Sequence, residues 1–314
     1  MKKVIFSFLI LGLCAIAISC NGQPKKTKIA YIGNTQDQPF YKSLTNGIKK
    51  ELAKRDVTVD FFSATHQKDF ASQEEFITQV IQKKYSAVII YPVDFQKMIS
   101  SIAKLEQAKI PYVFIDTAID PNDLTMRLQY NCGYVATDNL LVGKEAFQLI
   151  QSQKAKSVLL VRGVPEHRSS SDREDGFLSE MKNQNPHIRA TIITGDWDTN
   201  QAYQEMKKLS GSKKLDFDAI FAFDDDMALG IAKFYKEKKL QRPYIVSVDG
   251  SELGQKGLLE GDIDAIIVQA TELMGTEALH RAISCLEDSQ KSPINTMTPS
   301  ILMKKSQSLE QNEK

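Results

Sequence analysis

The feature that most constrains this chain is an alternation running through most of its length. Short apolar, β-rich runs at 28–32, 57–63, 87–91, 111–115, 134–137, 157–162, 188–194, 219–223, 244–248 and 263–268 are separated by segments of helical period. In those segments Phe40/Leu44/Ile48/Leu52, Phe76/Val80, Met98/Ile102/Leu105 and Val142/Ala146/Leu149 recur at three- and four-residue steps, each a single apolar stripe that can cover a sheet. Strand–helix–strand repetition predicts an α/β protein with parallel sheets. One barrel of eight such units takes about 250 residues; ten strands suit two open, doubly wound sheets of five or six better, with the barrel as the alternative. No short repeat period points to a solenoid.

The 314 residues carry 40 Lys and Arg against 39 Asp and Glu, with 42% hydrophobic residues, the balance of a globular protein. A net charge of +1 gives no field to attract a polyanion, which argues against a nucleic-acid partner and for a small or neutral one. Lys2 and Lys3 precede an apolar run over 4–18, shorter than the ~20 residues a spanning helix needs, and the pattern is that of a secretory signal peptide at 1–19. It ends Ala17-Ile18-Ser19-Cys20, similar to a bacterial lipoprotein box, with Cys20 as the lipidated residue and 20–27 as a polar tether. Ordinary cleavage after Ala17 is the other reading. Cys132 and Cys285 remain, either as an exported-compartment pair or as two buried, unpaired thiols, the second reading being favoured.

In open parallel sheets ligands bind beyond the carboxyl ends of the strands, so the residue closing each apolar run is the informative one. Asp116, Asp224, Asp249 and Gln269 occupy such positions. Carboxylates and amides can each engage two hydrogen bonds, which suits vicinal hydroxyls, and Phe40, Tyr41, Tyr91 and the single tryptophan, Trp197, fall in loops or strand ends where a ring could pack on a sugar. The pattern predicts polyol recognition. Any one of these Asp residues reads equally as a helix N-cap, and Asp225 and Asp226 read as acids facing the positive end of a helix. Phe40 or Tyr41 could serve as helix-start packing.

At these residues the sequence resembles the periplasmic sugar-binding proteins of ribose and galactose type, the ligand-capturing components of ABC sugar importers. The markers, in order, are Gln38-Pro39-Phe40-Tyr41, Tyr91-Pro92-Val93-Asp94, Ile115-Asp116-Thr117, Thr137-Asp138-Asn139, Arg173-Glu174-Asp175-Gly176-Phe177, Asp225-Asp226-Met227-Ala228-Leu229-Gly230, Val248-Asp249-Gly250 and Val268-Gln269. The resemblance implies the type I periplasmic binding protein fold, two similar lobes joined by a three-stranded hinge. Those lobes would be 28–137 plus 270–297 and 138–269 plus 298–314. It further implies that Phe40 stacks on the sugar, that Asp116 and Asp249 bind hydroxyls and that Gln269 sits at the hinge. Thr117 and Ser171 stand where the ribose pattern has arginines, whereas Gly163-Val164-Pro165-Glu166-His167, Arg173 and Asp196-Trp197-Asp198-Thr199 look like the galactose/glucose pattern. A hexose or modified sugar is therefore expected over ribose. Tyr91 and Asp224 stand where relatives commonly carry Asn, and Arg168 could bind the hydroxyls that arginines at 117 and 171 bind in the ribose pattern.

Without the resemblance, His167 reads as a solvated loop histidine and Arg173 as half of a helix-start ion pair with Glu174 or Asp175. His66, His187 and His280 lack partner spacing. The stretch 196–200 matches the first three ligand positions of a calcium loop, but Gln201 and Lys207 occupy its glycine and glutamate positions, so no metal is expected. No HExxH, GxSxG or phosphate-loop motif is present, and no cofactor is indicated. The predicted protein is a monomeric, exported, lipid-anchored binder of a monosaccharide or related polyol that serves an ABC permease and performs no chemistry. The alternatives are a ligand-binder for a histidine kinase or chemoreceptor, and a glycosidase using two of Asp116, Asp224 and Asp249. Sugar-responsive repressors share this fold but carry a DNA-binding segment where the leader and tether stand here.

Overall fold

The computed structural model describes residues 26–35, 38–117, 128–212, 214–287 and 293–304. The leader and Cys20 lie outside them. The first sheet is built from β1 (Thr27–Gly33), α1 (Pro39–Leu52), β2 (Val57–Ser63), α2 (Phe70–Gln82), β3 (Ala87–Ile90), α3 (Met98–Ala108), β4 (Tyr112–Ile115) and β5 (Asn131–Thr137). The chain then enters a second sheet through α4 (Asn139–Ser152), β6 (Ser157–Arg162), α5 (Arg168–Gln184), β7 (Arg189–Thr194), α6 (Thr199–Ser212), β8 (Ala219–Ala222), α7 (Asp225–Glu237), β9 (Tyr244–Asp249), α8 (Glu252–Glu260) and β10 (Ala265–Gln269). It returns as α9 (Thr271–Glu287), β11 (Thr296–Thr298) and β12 (Ser300–Lys304). Strand order is β2-β1-β3-β4-β5-β11 in one sheet and β7-β6-β8-β9-β10-β12 in the other, all pairs parallel except β10 with β12. The protein is thus two doubly wound α/β sheets, and the barrel alternative is excluded.

All ten predicted strands form. Their register follows from burial on both faces: β3, β4 and β8 are buried at every position, because helices cover the sheet on each side. The additional strands β11 and β12 were not apparent in the sequence. They are three and five residues long and partly exposed, and their edge positions depend on partners at β5 and β10. Helix starts have local causes. Pro39 opens α1, where its missing N–H costs nothing. Asp138, Asp224 and Ser251 accept from Leu141, Met227 and Gly254 N–H at 2.9, 2.7 and 3.0 Å and so cap α4, α7 and α8. Gly261, at φ +85°, stops α8 in the left-handed conformation.

The chain passes between the sheets three times, after β5, after β10 and between β11 and β12. After the second passage α9 packs against β3, β4, β5 and α1. Its contact with α1 is close enough that a Cβ at Gly47 would strike the Glu272 carbonyl, and one at Gly275 the Leu44 carbonyl. His280 of α9 reaches Glu51 of α1 at 2.7 Å, a partnership 229 residues apart that no local spacing could reveal. Cys132 of β5 and Cys285 of α9 form a disulfide with Cα atoms 6.0 Å apart. The favoured reading as two unpaired thiols is thereby overturned: the apolar surroundings are as expected, but the topology brings the two together. The bond ties the returning helix to the first sheet.

Because that disulfide closes a 153-residue separation, Cys285→Ser is expected to lower stability by ~2–5 kcal/mol. Urea unfolding of the oxidised wild type and the variant, followed by Trp197 emission, measures the difference.

Candidate functional site

Parallel strands place all their carboxyl ends along one edge of a sheet, and in this molecule the two such edges face each other. Gln38, Phe40 and Tyr41 follow β1, Tyr91 follows β3, and Asp116 follows β4. From the other sheet come Ser169 and Arg173 on α5, Trp197 after β7, Asp224 after β8, Asp249 at the end of β9 and Gln269 at the end of β10. These eleven residues line one cavity between the two sheet edges.

The predicted residues are thus brought together, except two. His167 is fully buried behind the wall, where its Nδ1 lies 2.8 Å from Trp197 Nε1 and 3.2 Å from the Tyr91 hydroxyl, and its Nε2 lies 3.0 Å from the Gln67 carbonyl. Indole N–H only donates, so Nδ1 accepts and the proton sits on Nε2, donated to Gln67. Burial holds the imidazole down at about 4, leaving it neutral. His167 is therefore neither a solvated loop residue nor a cavity-lining one; it positions Tyr91 and Trp197. Arg168 lies outside this cavity too. Its Nε pairs with Asp172 at 3.0 Å, one turn on, and it lines a neighbouring cavity that also includes Thr117, Asp116 and Ser169. Ser169 was not among the predicted residues. It stands four residues before Arg173 on α5 and so shares its face, a helical spacing that would have found it.

Three wall residues hold backbone conformations that side chains other than glycine seldom adopt: Asp116 at φ +65°, Trp197 at +60° and Asp249 at +110°. Such conformations cost on the order of 1–3 kcal/mol each and turn the side chain away from its strand's direction. Aromatic packing fixes the rest of the wall. Tyr41 meets both Phe40 and Tyr91 edge to face, with ring centroids 5.2 Å apart in each pair. The indole of Trp197 rests on Gly163, where a Cβ would enter the ring.

The acids play different parts. Asp224 is both cap and wall: one oxygen takes the Met227 N–H while the residue lines the cavity. Asp249 accepts from Gln269 Nε2 at 2.6 Å. Asp116 Oδ1 and Gln269 Oε1 are buried without a hydrogen-bond partner. Burial pushes Asp116 up to about 6, with Arg173 pulling it back. Desolvation first, and then the charges of Asp226 and Asp225, hold Asp224 well above the usual carboxylate range. Desolvation raises Asp249 as well, against the pull of Arg173, with Asp225 and Asp224 adding to the rise. Asp225 is no mere helix-end acid: it is buried and accepts from Ser247 Oγ, Ser251 N and Ser251 Oγ. Arg173 is likewise not in a surface pair. Its Nε donates to Asn139 Oδ1 at 2.8 Å, its Nη1 to the Phe223 carbonyl, and its guanidinium lies 5.7 Å from the Trp197 ring, while Glu174 pairs with Arg162.

Contacts cross between the two halves around the cavity mouth. Gln38 Nε2 donates to the Trp197 carbonyl at 2.6 Å, Lys68 pairs with Asp196 at 3.0 Å, and the Phe95 N–H meets the Glu166 carbonyl at 3.4 Å. The calcium-like stretch is otherwise employed, with Asp198 accepting from the Gln201 N–H at the start of α6.

Two parallel sheets facing each other across a small polar and aromatic cavity define a bilobal α/β binding protein. The chain belongs to the periplasmic binding protein domain family, whose model matches residues 29–289. It is similar to the ribose import binding protein of Bacillus subtilis, 26% identical over 297 residues that cover 90% of this chain and 92% of that protein. It is 22% identical to the D-allose-binding periplasmic protein of Escherichia coli, over 85% of this chain and 86% of that one. Among solved structures, an ABC transporter periplasmic solute binding protein of Actinobacillus succinogenes with bound D-allose superposes with a TM-score of 0.81. That match is 23% identical and covers 91% of this chain and all of the other. Among the described residues, no helix is long and apolar enough to cross a membrane, and no group of three metal-ligating side chains is present.

His167→Ala would strip Trp197 Nε1 and the Tyr91 hydroxyl of their shared acceptor, and is expected to cost ~1–3 kcal/mol of stability with a shift in Trp197 emission. His167→Gln restores an acceptor; comparing the two variants by urea unfolding separates the hydrogen bonds from the packing.

Proposed function

We propose that this protein is an exported solute-binding lipoprotein, anchored through Cys20, that captures a monosaccharide or related polyol in the cavity and presents its closed form to an ABC permease. The observation that carries the reading is the pair of buried, unpartnered acceptors, Asp116 Oδ1 and Gln269 Oε1, on the wall of a cavity lined by aromatic rings. A buried acceptor left without a donor is costly, and hydroxyls supply donors. The names of the relatives support the class, since they import ribose or bind allose, and D-allose occupies the superposed structure.

In this mechanism the lobes 28–137 plus 270–297 and 138–269 plus 298–314 turn about the three passages between the sheets. The ligand shifts the population toward the closed form only to the extent that it binds that form better. Contacts from both lobes provide the difference. Phe40 and Tyr41 belong to the first lobe and Trp197, Asp224 and Asp249 to the second, so a ring between them is held fully only on closure. Gln269 ends a strand at one passage and holds Asp249, which couples ligand to hinge. No bond of the ligand is broken, and an aryl-glycoside panel should release no reducing sugar.

The reading is tested by isothermal titration of the refolded full chain with a monosaccharide panel, with Trp197 emission as a second signal. One sugar should saturate. Asp249→Ala should weaken it by ~2 kcal/mol or more through lost charge-assisted hydrogen bonds, with the far-ultraviolet spectrum preserved; unchanged affinity would remove Asp249 from the site.

Acidity provides a second check. Asp116 is raised to about 6, facing Arg173 and the phenols of Tyr31, Tyr41 and Tyr91, and a ligand hydroxyl donates to its ionised form. Binding therefore favours ionisation. Affinity should fall as pH drops through 6, and near pH 6 binding should release protons, measured as a buffer-dependent enthalpy.

A further inference from the structure

The charges on the cavity wall do not balance. Asp116, Asp224 and Asp249 line it, and Arg173 is the one Lys or Arg among the lining residues. Arg173 pulls on all three acids, yet none of the ion pairs within 4 Å among the described residues includes any of them. Two of its nitrogens are already committed to Asn139 and Phe223. Burying several carboxylates beside one cation carries a large desolvation cost unless something else compensates.

Hydrogen bonding is lopsided in the same sense. Gln38, Trp197 and Gln269 each give one N–H, to the Trp197 carbonyl, His167 and Asp249 respectively. The buried atoms left without a partner on the wall, Asp116 Oδ1 and Gln269 Oε1, are both acceptors. A neutral hydroxyl brings a donor but also lone pairs that need donors in return. An ammonium brings three donors, no acceptor and a positive charge.

From this imbalance, and resting on the reading of the cavity as a polyol site, we propose that the ligand is a cationic amino sugar of monosaccharide size, its protonated amine seated against Asp224 and Asp249 at the ends of neighbouring strands. Its hydroxyls then meet Asp116 and Gln269. Desolvation first, and then neighbouring acids, raise both groups, Asp226 and Asp225 acting on Asp224 and Asp225 and Asp224 on Asp249, and a cation at their strand ends offsets that cost without a protein counter-ion.

The full chain, refolded to remove carried-over ligand, is titrated calorimetrically at pH 7 with glucosamine, galactosamine and mannosamine. The parent hexoses, which keep the size but lose the charge, and the N-acetylated derivatives, which lose the charge and add an acetyl group, are titrated in parallel. The expected result is that at least one amino sugar binds tenfold or more tightly than both its parent and its N-acetyl form. Asp224→Asn, which retains a competent helix cap, should then collapse the ratio of amino-sugar to parent affinity toward one, and Asp249→Asn should do the same should the first variant fold poorly. A parent hexose that binds as well as or better than its amino form overturns the inference while leaving the polyol reading standing, because the acids would then be accommodated by protonation. Binding by no sugar of any kind overturns the monosaccharide reading itself.

Discussion

A right-handed parallel crossover obliges every strand to finish on the same edge of its sheet, and the rest of this molecule depends on that constraint. Once β1, β3 and β4 point one way and β6 to β10 point toward them, the residues just past each strand must converge. Those residues lack the helix cover that buries the strands, so they can be polar, and they are anchored by a core that is not. The site is the place where two such edges meet. Its position requires no feature of its own beyond the three passages that set one sheet against the other.

Convergence alone would leave a loose cluster, and two further arrangements stiffen it. The wall residues Asp116, Trp197 and Asp249 are held at positive φ, a cost the fold bears because buried strands stand behind Asp116 and Asp249, while Trp197, after the exposed edge strand β7, is itself buried with its indole against Gly163. Behind the wall, a neutral imidazole links Trp197 and Tyr91 to the Gln67 carbonyl in the other half of the molecule. His167 therefore works as a fixed strut whose protonation state follows from burial and whose tautomer follows from the indole it serves.

The electrostatics of the cavity come from the same geometry. Asp224 and Asp249 end adjacent strands, so parallel pairing sets two carboxylates near each other whether or not a cation is at hand. The one guanidinium on the wall is turned partly toward protein carbonyl and amide oxygens. The buried wall atoms left without a partner, Asp116 Oδ1 and Gln269 Oε1, are both acceptors, and a partner that donates would satisfy them.

How far the sequence determined this protein can be read from the distances over which each feature is encoded. The strands and the stripes of α1 to α4 were legible because apolar periodicity is local, and the strand-end acids were legible because a parallel sheet turns position in the strand into position in the site. Asp224 as a cap and Arg173 beside Ser169 were also within reach, as they depend on spacings of three and four residues. What spans the molecule was not. The disulfide between Cys132 and Cys285, the tie between Glu51 and His280, the donation from Gln38 to Trp197 and the edge strands β11 and β12 join segments tens to hundreds of residues apart. The sequence by itself therefore determined which elements form and which chemistry stands at their ends. Only the tertiary structure decided that His167 sits behind the wall and Arg168 beside it, and that one cation faces three acids, because burial and charge at a site are sums over neighbours that the chain order does not display.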